Sequence, residues 1–255
     1  MKKIVFFFTS LVLVCLMISC EFFSKPLYSF SRDISGVIGS MSTDDLARNV
    51  DKMSSDPKIV ADVLNELAGR NQDEIKDLSK DDKEKLLNAG VSAILPVSQL
   101  GDVVEQLTNG DKSMDFATIM DSLNQGAPAI NTKALETVLK DDEIRKTTDV
   151  STLAFSAASL IVNTVKTESG GGSSFKEKIT AFQTAAEAAS NGGAFNPEAF
   201  KNQLGNSFTE ESKEALTAAM GVADVLTGER KDEAEGVGIG GFTISDLLDK
   251  MKGGQ

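Results

Sequence analysis

Apolar residues recur three and four positions apart along most of this chain, which is the spacing of one face of an α-helix. Leu46, Val50 and Met53 form the first such stripe, behind a capping box at Ser42 and Asp45. Asp56-Pro57, a cap followed by proline in the first turn, opens a helix carrying Ile59, Val60, Val63, Leu64 and Leu67. Ser79 and Asp82 open another, with Leu86, Leu87, Val91, Ile94 and Leu95, and Pro96 breaks or kinks it. Leu100, Val103, Val104 and Leu107 continue beyond, up to the stop at Asn109-Gly110. A short helix is expected at Phe116, Ile119, Met120 and Leu123, and a loop over 124–128 leads to Leu135, Val138 and Leu139.

From Val150 to Val165 the stripe widens into an uncharged run of alanine, serine, threonine and aliphatic residues. It is short of the ~20 apolar residues that span a bilayer. It suits a central helix buried all round, the core of the body. Residues 169–174, a glycine–serine segment, read as a long loop or a boundary between two lobes. Phe175, Ile179, Phe182, Ala186 and Ala189 share the next helical face. Asn196-Pro197 caps a short helix with Phe200 and Leu204, and Thr209 starts a longer one with Leu216, Met220, Ala223 and Leu226. Glycine-rich residues 236–241 precede a last helix with Ile244, Leu247, Leu248 and Met251. No alternating runs joined by hairpin turns stand out. The expected fold is all-α, an irregular multi-helix bundle or a degenerate helical-hairpin array.

The array reading rests on weak internal similarity. Ser79 to Leu86 resembles Thr209 to Leu216, and the stretches around Phe116–Leu123 and Phe195–Leu204 are alike. No fixed period runs along the chain, so repeated capping chemistry is the preferred explanation.

The first twenty residues follow a different pattern. Lys2 and Lys3 precede the uncharged run Ile4–Ile18, which has the length of a signal-peptide core rather than a span. It ends in Leu16-Met17-Ile18-Ser19-Cys20, with Glu21 next. This ending resembles the lipobox of bacterial lipoproteins, in the relaxed form found in spirochaetes. Met17 stands where that family commonly has leucine. The resemblance implies lipidation of Cys20 by a diacylglyceryl group, cleavage before it, and acyl chains such as palmitate as membrane anchor. Two or more chains make such attachment effectively permanent, at roughly 0.8 kcal/mol per buried CH₂. Residues 1–19 are then a leader, 20–33 a tether containing Pro26, and 34–255 the helical body. The body is placed at the bacterial cell membrane or outer membrane, in the periplasm or at the cell surface.

Composition narrows the chemistry. Loss of Lys2 and Lys3 with the leader takes the formal charge from −12 to −14. Phosphate backbones and anionic headgroups repel such a body, so nucleic acid is not an expected partner. There is no histidine, which removes imidazole catalysis, most hydrolytic triads and histidine zinc sites. The only cysteines are Cys15 and Cys20, so the body beyond the tether has no disulfide, thiolate metal site or cysteine nucleophile. Tryptophan is absent and Tyr28 is the single tyrosine. No cofactor, metal site or catalytic residue is expected.

Three local patterns have simpler explanations than a site. Gly236 to Gly241 fits the letters G-x-G-x-x-G, but no buried strand precedes it and no acidic ribose partner can follow ~20 residues on. Asp44-Asp45, Asp81-Asp82, Asp141-Asp142-Glu143 and Glu210-Glu211 sit at expected helix starts, where acids complement the dipole. Lys76, three residues before Ser79, lacks the companions of a serine–lysine dyad.

Three functions remain. The first is a non-catalytic, membrane-anchored scaffold or protein-binding module with a protein partner in the cell envelope. The second is a carrier of a hydrophobic small molecule associated with a transporter. Ser55 to Ala61 and the lipobox resemble the helical-repeat lipoproteins of spirochaete TRAP transporters, the TatT family, and that resemblance implies the carrier role. No site residue is carried over from so short a match. The third is a carboxylate-dependent cell-wall hydrolase, which needs two acidic side chains facing each other in a cleft.

Overall fold

The computed structural model describes residues 34–53, 56–95, 120–121, 130–170, 173–190, 195–239, 242–245 and 248. The leader, Cys20, the stripe at 100–107 and the turn at 109–110 lie outside them. So do most of the expected helices at 116–123 and 244–251. Helix accounts for 84% of what is described, in twelve segments, and the all-α expectation holds. The chain divides into two compact units, Met1–Ser40 and Met41–Gln255. In the first, α1 (Ile34–Ser40) is the described element. The rest of this section concerns the second.

Helix starts follow the capping chemistry legible in the sequence. At the head of α2 (Thr43–Met53) the Asp45 amide donates to Ser42 Oγ at 3.1 Å, and that hydroxyl donates to Asp45 Oδ2 at 2.8 Å. Asp56 accepts from the Lys58 amide ahead of Pro57 and α3 (Pro57–Ala68). A short α4 (Gln72–Lys76), capped by Asn71, is an element the stripe pattern did not reveal. Ser79 and Thr209 cap α5 (Lys80–Ile94) and α11 (Glu210–Thr227) alike, each accepting from the amide three residues on. Each of these helices buries a leucine seven residues after its cap, Leu86 and Leu216. The resemblance between the two segments is thus a shared capped start.

Between them in sequence come α6 (Lys133–Leu139), α7 (Asp142–Thr147), α8 (Val150–Ser169), α9 (Ser173–Ser190) and α10 (Pro197–Leu204). Every residue from Ser156 to Val165 is buried, so α8 is the all-round buried core helix. Its broadest contact is with α11, then α5, and α9 also packs on it. It ends at Gly170, whose φ of 65° is the left-handed conformation that a glycine cap supplies. The glycine segment joins two helices of one unit.

The remaining layers build outward. α2 and α3 pack on α5. α9 buries Phe175, Ile179 and Phe182 on its expected face, and pairs chiefly with α10. There Phe182 meets Phe200 edge-on, with centroids 5.8 Å apart. Lys83, itself buried, reaches from α5 to Asp141 at 2.6 Å. Burial pushes the Asp141 carboxyl up, but Lys83 and the amides of Glu143 and Ile144 outweigh it and hold it below the ordinary range.

Two details depart from expectation. α12 (Lys231–Gly236) follows α11 directly. Arg230 at its head donates to the carbonyls of Arg145 at 3.0 Å and Thr148 at 2.7 Å, closing the end of α7. Then β1 (Gly238–Ile239) and β2 (Phe242–Thr243) pair antiparallel, Gly238 opposite Thr243 and Ile239 opposite Phe242. Two residues per strand are too few for alternation to show in the sequence.

Candidate functional site

A cleft of about 500 Å³ opens where three elements converge. Its walls are the lead-in to α6 (Ile130 to Lys133), the last third of α8 (Asn163, Thr164, Thr167, Glu168) and the first turns of α11 (Thr209, Glu211, Ser212, Ala215). Most of these residues carry a hydroxyl, amide or carboxylate, and their apolar atoms supply the larger part of the exposed lining.

Asn163 fixes the first wall. It sits buried in the last third of α8, accepts from the Ile130 amide at 3.0 Å, and donates through Nδ2 to the Ile130 carbonyl at 2.5 Å. Both backbone groups of a buried residue outside helix are thereby satisfied. One residue on, the Asn131 amide donates to Asn65 Oδ1 of α3 at 2.7 Å. Asn131 Oδ1 accepts in turn from the Lys133 amide at the head of α6.

Glu168 fixes the second junction. Its Oε1 accepts from the Thr209 amide at 3.0 Å, from the Thr209 hydroxyl, and from Ser212 Oγ at 2.6 Å. Lys178 of α9 stands 3.6 Å from Oε2. Burial raises the pKa of this carboxyl, but the hydrogen bonds from Ser212 and Thr209 and the charge of Lys178 prevail and hold it below the usual value. A carboxylate at a helix N-terminus also complements the dipole of α11.

Glu136, almost wholly buried, is held by Lys133 at 3.0 and 3.2 Å and by Lys140 at 2.7 Å. Lys140 continues to Glu214 at 2.8 Å, and Lys201 reaches Glu214 at 2.5 Å. The chain of charges therefore links α6, α11 and α10. The bonds from Lys140 and Lys201 draw the Glu214 carboxyl down to about 2, against a smaller opposing effect of burial.

Two lining groups are left over. The Thr164 hydroxyl, on a residue only 5% exposed, has no hydrogen-bond partner among the described residues. Glu211 is exposed at the rim and makes no ion pair among the described residues.

Of the residues singled out in the sequence as site candidates, Glu211 lines this cleft. Cys20 lies outside the described residues. Gly236 ends α12, a helix, where a dinucleotide fingerprint needs a strand before it. The four acidic clusters all lie at helix starts, of α2, α5, α7 and α11. Lys76 bonds Asp73 and the Ser79 hydroxyl donates to Asp82, so they form no dyad. Among the described residues, no group of acids could hold a metal ion, and no helix is long and apolar enough to cross a membrane. Glu136, Asn163, Thr164 and Glu168 were not singled out in the sequence; the visible signal was polar residues within or just after an otherwise apolar helix.

Compared with protein-family models, curated proteins and solved structures, the chain matches none of them.

Proposed function

We propose that this protein is a bacterial lipoprotein, acylated at Cys20, whose helical body serves outside the cytoplasmic membrane as a non-catalytic binding module. The anchor rests on Lys2, Lys3, the apolar run Ile4–Ile18 and the ending Leu16 to Cys20. The observation that carries the non-catalytic reading is the engagement of two cleft carboxylates, Glu136 and Glu168. Glu136 is tied to two lysines, and Glu168 accepts from an amide and two hydroxyls beside a third lysine. A glycoside hydrolase needs a general acid with a raised pKa, and Glu168 is shifted the other way. The cleft is also open to the surface, unlike the enclosed apolar cavity that the hydrophobic-carrier reading asks for.

Two measurements test the reading. Cys20→Ala is expected to move the protein from the membrane fraction to the soluble fraction; retention of the variant in the membrane overturns the anchor. A photo-crosslinker at Thr167, on the rim, is expected to give one discrete protein adduct in cells. The same group at Lys76, which does not line the cleft, should not. Equal labelling from both positions, or none from either, overturns the binding role of this face.

A further inference from the structure

We draw no further inference here: the strongest candidate, the cleft between α6, α8 and α11, belongs to the site already described, and nothing among the described residues shows what would occupy it.

Discussion

Leu135 of α6 fills the space that a side chain at Gly90 of α5 would need. A Cβ built at Gly90 lies 2.6 Å from Leu135 Cδ1 and 2.8 Å from Cδ2. Leu135 is itself 1% exposed, so it has nowhere to retreat. In an exposed helix, alanine in place of glycine gains up to about 1 kcal/mol. Here overpacking dominates, and Gly90→Ala is expected to destabilise the protein by about 1–3 kcal/mol. Chemical denaturation of the two proteins measures it; a stabilised variant would show that the two helices are not this close.

Asn163→Ala is expected to be more damaging than its size suggests. It strips partners from both the amide and the carbonyl of buried Ile130. Each orphaned group costs about 1–3 kcal/mol. The Ile130 amide should also lose its protection from hydrogen exchange, while amides of α9 keep theirs.

Acid should weaken the fold through Glu214. Its ordinary carboxyl value is 4.5 and in the folded protein it is about 2. Because the folded value is depressed, the stabilisation is complete above about pH 4.5 and declines as pH falls toward 2. Asp141 and Glu168, both lowered, add in the same direction. Stability measured between pH 7 and pH 2 should fall on acidification. Glu214→Gln should be less stable at pH 7 and show a shallower fall.

Arg230 closes α7 with two hydrogen bonds from one guanidinium nitrogen, while its other nitrogens hold Glu233 at 3.1 and 2.6 Å. Arg230→Met keeps most of the apolar stem and removes these donors. The expected loss is about 2–4 kcal/mol, since the carbonyls it caps lie in a partly buried corner. Arg230→Lys should recover only part of it, because an ammonium lacks the planar fork that spreads donors over carbonyls and carboxylate together.

Capped helix starts and wide apolar stripes were the parts of this fold that could be read directly. Ser42, Asp56, Ser79, Asn196 and Thr209 each cap the helix expected after them, because an N-cap is a local bond. The burial of α8 was legible because its run carries no charge. The short helices α4 and α12 were not, since five or six residues cannot display a 3.6-residue period. The cleft was invisible for a different reason. Its walls come from positions 130–136, 163–168 and 209–215, and only tertiary packing brings Glu168 to the head of α11. The clustered acids lie at helix starts, whereas Glu136 and Glu168 occur singly and look unremarkable in the sequence.

The double grip on Glu136 also bears on how this sequence can drift. With Lys133 and Lys140 both on one buried carboxylate, either lysine can be lost while the other still neutralises it. Loss of both strands a charge in the interior, which is far more costly than twice a single loss. Each position is thus individually permissive and jointly constrained. In related sequences the two should vary in opposition, one lysine retained wherever the other has gone, unless Glu136 has been replaced as well.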